Sequence, residues 1–278
     1  MDALEIKGLR KEYPGFCLDG LDLELPRGCI MGLIGENGAG KSTAIKSVLR
    51  LIRPDGGEIR VFGRPVSEST ADDVGFVLDE GCFPAKMSCE KLGQIMKRFY
   101  RVWDAAGYRE LLRRFGLPEG KSFGELSRGM RMKLSLAVAM SHGARLLVLD
   151  EATAGLDVVA RDELLDILLD YISDGERSIL ISSHIVSDLE KICDYICFIH
   201  RGRRLFLDEK DVLLDRYCVV HCSRAELERI PREDVIGCRT SEYGAEALME
   251  RGRAPRGLIT ERAGLEDIIV YHIRGEEK

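Results

Sequence analysis

The segment Cys29 to Thr43, CIMGLIGENGAGKST, constrains this chain more than any other. Its apolar half, Cys29 to Ile34, predicts a buried strand. Gly35-Glu36-Asn37-Gly38-Ala39-Gly40-Lys41-Ser42 follows as G-x-x-x-x-G-K-[ST], and a helix is expected over roughly Lys41 to Leu51. Closely spaced glycines let a backbone curl with its N–H groups pointing inward, and the helix start adds the positive end of its dipole. Such a loop cradles nucleotide phosphates. Gly35 through Thr43 are therefore candidate nucleotide-binding residues. Lys41 can reach the β- and γ-phosphates, and the Ser42 hydroxyl can ligate Mg²⁺.

A second cue lies downstream. Leu146-Leu147-Val148-Leu149 reads as a central strand ending in two adjacent carboxylates, Asp150 and Glu151. The first can hold Mg²⁺ and the second can polarise a water that attacks a γ-phosphate. Such a run is weak alone and strong behind a phosphate loop. Ser178 to Ser182 is another buried strand, delivering Ser183 and His184 to the same sheet edge. An imidazole there can hydrogen-bond both a phosphate oxygen and the attacking water.

Other positions are less decided by their residues. Val74 to Leu78 is a strand that runs into Asp79-Glu80-Gly81, where a carboxylate is either a ligand for metal or nucleotide or a plain loop residue. Tyr13, between strands at Leu4–Ile6 and Leu21–Leu25, is either an ordinary strand aromatic or a surface for a base to stack on. Ser88 to about Phe115 has helical period, with Leu92, Ile95, Met96, Phe99 and Tyr100 on one side. This suggests an all-α subdomain hung on the sheet. Leu126-Ser127-Arg128-Gly129-Met130 opens a long helix with Ser127 as N-cap, and taken alone it reads as a capped helix. Ala154-Gly155-Leu156-Asp157 is a turn before another helix.

Lys and Arg number 41 against 47 Asp and Glu, for a net charge of -6, which argues against a general nucleic-acid binder. Nine scattered cysteines read as reduced thiols; Cys218-His221-Cys222 fits strand core better than a metal knuckle. Acidic residues at Asp2 and Glu5 argue against a signal peptide. No apolar run reaches bilayer-spanning length, so a soluble chain is expected.

Taken in order, these segments resemble the ATP-binding cassette (ABC) ATPases. The similarity is to the single-cassette subunits of export-type bacterial transporters whose permease is a separate chain, and it spans roughly residues 2–210. GENGAGKST is similar to the Walker A segment, LSRGM to the signature loop, LLVLDE to Walker B, AGLD to the D-loop and SSH to the switch histidine. The resemblance implies an α/β P-loop fold at 1–210, with a mixed core sheet, an N-terminal antiparallel β subdomain and a helical subdomain at about 88–142. Beyond the reach of the resemblance, Val219-Val220, Val235-Ile236 and a terminal Leu265 to Ile273 segment suggest a small α/β accessory region at 211–278. The resemblance also implies ATP and Mg²⁺ as cofactors, with Ser42, Asp79 and Asp150 at the metal, Glu151 as general base and Lys41 and His184 on the phosphates. Tyr13 would stack on adenine. Leu126 to Met130 would bind ATP held by a second cassette, a copy of this chain or a related subunit, beside the D-loop residues Gly155, Leu156 and Asp157. The expected partner is an integral membrane permease, the expected place the cytoplasmic face of the cell membrane, and no specific nucleic acid is expected.

The chain departs from the family pattern at Asp79 (usually Gln), at Arg128 and Met130 (Gly and Gln) and at Ala152 (Pro). A soluble ATPase that remodels nucleic acid, ribosomes or protein complexes is the alternative; paired cassettes or sustained heptads would favour it, and neither occurs here. A cassette without turnover would have lost Lys41, Glu151 or His184.

Overall fold

The computed structural model describes residues 2–78 and 83–276. The chain divides into two compact units, Met1–Leu207 and Asp208–Lys278. In the first, β1 (Leu4–Tyr13) and β2 (Phe16–Leu25) precede β3 (Ile30–Ile34) and α1 (Lys41–Val48). Next come β4 (Gly56–Val61), β5 (Arg64–Pro65), β6 (Val74–Val77), α2 (Cys89–Phe99), α3 (Ala105–Arg114) and α4 (Arg128–Met140). After these run β7 (Leu146–Asp150), α5 (Val158–Ile172), β8 (Ser178–Ser182), α6 (Val186–Ile192), β9 (Tyr195–His200) and β10 (Arg203–Glu209), which runs two residues past the division.

The central sheet has the order β10-β9-β3-β8-β7-β6. β3, β7 and β8 are buried along their whole length and pair in parallel, which explains why they read as unbroken apolar runs. Parallel pairing puts the carboxyl ends of β3, β8 and β7 side by side, and these are the ends that carry the loop motifs. A separate antiparallel sheet, β2-β1-β4-β5, alternates buried and exposed residues. Its Leu4, Ile6, Leu21 and Leu23 share one core with Ile45 and Val48 of α1 and with Met31, Leu33 and Val148 of the central sheet. The phosphate-loop helix is thus packed between two sheets. It ends at Val48, one turn short of the expected Leu51, because Arg50 takes a left-handed φ of 58°.

The helical stretch contains α2, α3 and α4. Ser88, Asp104 and Ser127 cap them by accepting from Lys91 N, Ala106 N and Met130 N. Gly93 lets α2 meet α3: a Cβ there would lie 2.4 Å from the Tyr108 ring. Phe99, expected on the packed side of α2, is 76% exposed, since the helix stops beside it and Tyr100 turns extended. Most of α4 is buried. It lies against β6, where a Cβ on Gly75 would come 2.5 Å from the Ala139 carbonyl oxygen.

The second unit holds α7 (Lys210–Arg216), β11 (Tyr217–Cys222), α8 (Arg224–Leu227), β12 (Gly237–Thr240), β13 (Ala245–Glu250), β14 (Ile259–Arg262) and α9 (Leu265–Glu276). Its antiparallel sheet runs β12-β13-β11-β14 around Cys218, Val220, Ala247 and Met249. Cys218 is therefore strand core, and His221 instead faces carboxylates, with Nε2 3.3 Å from Glu261 Oε2. Val235-Ile236 precedes β12 and is not itself a strand. Among the described residues no helix is long and apolar enough to cross a membrane.

Gly75→Ala forces β6 and α4 apart and should cost about 2 kcal/mol, lowering Tm by roughly 5 °C in a thermal melt. His142, just past α4, is buried, stacks on Tyr100 at 3.9 Å and has its ring nitrogens 3.4 and 3.3 Å from the Val138 and Val74 oxygens. Burial holds its pKa below the ordinary 6.5, so the unfolded chain takes up a proton that the folded one resists. Stability from this group is complete above pH 6.5 and is lost as pH falls below it. Urea melts between about pH 7.5 and 5.5 should show a slope that is smaller in His142→Gln.

Candidate functional site

The phosphate loop is built by exclusion. Gly35 sits so close to the strand beside it that a Cβ would lie 2.4 Å from the Ile199 oxygen, and Gly40 holds a φ of +116° with the Leu18 and Phe16 side chains at its back. Only glycine satisfies both demands. The turn after β9 supports the loop from below, with the Gly202 N–H donating to the Ala39 oxygen at 3.0 Å. Buried His200, at the end of β9, lies 3.5 Å from the Glu36 carboxylate. Tyr13 is 40% exposed at the rim, stacked on Phe16, whose ring edge backs Gly40.

Lys41, the first residue of α1, is 5% exposed. A buried ammonium needs acceptors, and three surround it. Nζ donates to the Gly35 oxygen at 2.7 Å and the Glu36 oxygen at 3.2 Å, and lies 3.5 Å from Glu151 Oε1. The loop and the end of β7 are thereby tied through one cation. Ser42 follows on α1, which lies against β7.

At the end of β7 two carboxylates take different environments. Asp150 is buried, and its Oδ1 accepts from the Ser182 hydroxyl at 2.6 Å. Glu151 leaves the strand with a left-handed φ of 53°, an arrangement that costs a non-glycine residue about 1–2 kcal/mol. Ser182 holds it there: both the backbone oxygen and Oγ of Ser182 accept from the Glu151 N–H, at 3.1 and 3.0 Å. The Glu151 side chain turns to His184, whose Nδ1 is 2.7 Å from Oε2 and whose backbone N–H is 3.3 Å from the same atom. An ionised carboxylate only accepts, so Nδ1 carries the proton and Nε2 of the neutral ring remains an acceptor. Ser183 is fixed in the layer below, with Oγ 3.3 Å from Thr153 Oγ1.

The structure thus brings Gly35–Thr43, Asp150, Glu151 and His184 into one cluster. Leu126–Met130 and Gly155–Asp157 form another. Leu126 is buried, Ser127 caps α4, and Gly129 is packed so that a Cβ would be 3.4 Å from Ala160 Cβ. Asp157 caps α5 by accepting from Ala160 N at 2.9 Å. Asp79 lies outside the described residues. Two participants are missing from the sequence reading. Ser182 looked like the last residue of a strand, and its link to both carboxylates follows only from the β7–β8 register, Asp150 opposite Ser182. His200 carried no local motif at all.

The fold agrees with the comparisons. The ABC transporter family matches residues 18–154. ABC transporter ATP-binding protein YtrB of Bacillus subtilis (strain 168) is 30% identical over 217 residues, covering 77% of this chain and 74% of that protein. The lantibiotic transport ATP-binding protein SrtF of Streptococcus pyogenes is 32% identical, covering 75% and 91%. A solved ATP-binding subunit of an ABC transporter superposes with a TM-score of 0.69 at 28% identity, covering 76% of this chain and 91% of that one. A nucleotide-free ATP-binding cassette from an ABC transporter, at 19% identity and a TM-score of 0.67, shares the fold. With that likeness and a phosphate loop facing a paired glutamate and histidine, this chain belongs to the ATP-binding subunits of ABC transporters and carries their ATP-hydrolysing domain.

Proposed function

We propose that this chain powers export: two cassettes close around two ATP molecules, and closure is transmitted to a separate membrane permease on whose cytoplasmic face they sit. The observation that carries this is the convergence of Lys41, Asp150, Glu151 and His184 at the ends of three adjacent parallel strands. A lysine for the phosphates, a base and a base-orienting imidazole together serve γ-phosphate cleavage. Relatives named for bacitracin and lantibiotic transport, for Nod factor export and for daunorubicin/doxorubicin resistance support the outward direction.

Hard oxygen donors are what Mg²⁺ takes, and this site supplies them. Asp150 is buried with one oxygen fixed by Ser182, and Ser42 stands on the helix that lies against β7. These residues fit the ion, and Ser42 and Asp150 would hold it; bound there, it would neutralise phosphate charge. Lys41 exchanges its carbonyl partners for phosphate oxygens. Glu151 accepts the proton of the attacking water, held in place by Ser182 behind it and His184 beside it. His184, with Nδ1 donating to Glu151, can accept from the attacking water at Nε2, and it meets a γ-phosphate oxygen as a donor only when the ring carries a second proton. Tyr13 provides the face on which adenine rests.

Ser127 and Gly129, within the Leu126–Met130 segment, would meet the γ-phosphate of ATP on the other cassette, beside Gly155, Leu156 and Asp157. One chain carries both half-sites, so two copies complete two sites.

Glu151→Gln keeps the side chain's size and one acceptor oxygen and removes the base. Steady-state ATPase should fall on the order of 10²–10⁴-fold, and light scattering with ATP and Mg²⁺ should find a stable dimer. A monomer under these conditions would refute the two-cassette closure. Ser182→Ala, which loosens both carboxylates at once, should lower kcat on the order of 10–100-fold. ATP binding to the monomer, followed with a fluorescent analogue, should change much less.

A further inference from the structure

Arg128 stands at the start of α4, where the family usually has Gly. If Gly155 carried a Cβ, that atom would lie 2.5 Å from Arg128 Nη1, 2.8 Å from Cζ and 3.2 Å from Nε. Three atoms of one plane crowd one point, so the guanidinium lies broadside over the Gly155 Cα. Gly155 has a φ of +67°, a conformation that favours glycine, and the absence of a side chain leaves the guanidinium its place.

Arg161 also bonds the turn. Arg161 Nη2 donates to the Leu156 oxygen at 3.2 Å, and the Arg161 N–H donates to the Asp157 oxygen at 3.0 Å. From there a run of contacts leads to the hydrolytic pair. Leu156 N–H bonds the Thr153 oxygen, Thr153 Oγ1 meets Ser183 Oγ, and the Ala154 N–H bonds the Glu151 oxygen at 3.0 Å.

We propose that Arg128 is a positioning residue: its planar guanidinium clamps the Gly155–Asp157 turn to the start of α4. The segment that meets one ATP then moves as a unit with the segment leading to the Glu151 and His184 that act on the other. This rests on the closed dimer proposed above. A flat group covering a glycine is something arginine supplies and lysine, a point charge on a flexible stem, does not. The clamp therefore makes a demand on shape that simple attraction to phosphate does not make.

The test uses the full chain in three forms: Glu151→Gln alone, and Glu151→Gln with Arg128→Lys or with Arg128→Met. Arg128 is exposed, so the substitutions leave the core untouched. Dimer formation is titrated with ATP and Mg²⁺ by light scattering, and binding of a fluorescent ATP analogue is measured on dilute monomer. The expected result is a dimer for Glu151→Gln alone. Both double variants should need at least tenfold more ATP to dimerise, with unchanged analogue affinity. With Glu151 retained, Arg128→Lys and Arg128→Met should both lower the Hill coefficient of ATP hydrolysis toward one. Full rescue by Arg128→Lys would overturn the clamp in favour of charge alone, and no effect of either substitution would overturn any role. A Glu151→Gln chain that stays monomeric would instead refute the dimer, and the proposal with it.

Discussion

The Lys41 ammonium is the interaction on which the rest of this site depends. It is a buried cation, and a buried charge stripped of a partner costs several kcal/mol. Its partners come from two places: the Gly35 and Glu36 oxygens of the loop, and the Glu151 carboxylate from the end of β7. Satisfying that charge fixes the curl of the loop before any phosphate arrives. It also holds the end of β7 near the loop. The supports under the loop, from Gly202, Ile199 and His200, keep the carbonyl oxygens in place for the lysine.

The same logic explains a strained residue. Glu151 pays for its left-handed backbone, and two acceptors of Ser182 on one N–H hold it there. Strain of this kind persists only when the surroundings over-determine it. Here the determining group is on the neighbouring strand, so parallel register and catalytic geometry are one constraint. Ser182 also fixes Asp150. A single hydroxyl thereby sets the separation between a candidate metal ligand and a candidate base.

How much of this was legible depended on whether a function was local in sequence. The phosphate loop was legible because glycine placement and a strand before it are both local. Asp150 and Glu151 were legible because a buried parallel strand is an apolar run whose end is plain. Ser182 was not, because a serine closing a strand has no signal until pairing sets Asp150 against it. His200 and Glu36 stand 164 positions apart and meet only through the order of strands in the sheet. Phe99 was assigned to a packed face because periodicity does not announce where a helix stops. Arg128 is visible as a departure, but Gly155, which its guanidinium covers, lies 27 positions along the chain and meets it only in the fold.

Lys41 and His184 both engage the Glu151 carboxylate, one at Oε1 and the other at Oε2. One oxygen is thereby tied to the start of α1 and the other to the residues that follow β8. In the proposed cycle phosphate oxygens compete for the lysine, because an ammonium bonds most strongly to anionic acceptors. The residue that binds the phosphates is then also the residue that releases one end of Glu151, while Ser182 still holds its backbone and His184 its other oxygen. Phosphate binding and the placing of the base are coupled through one cation.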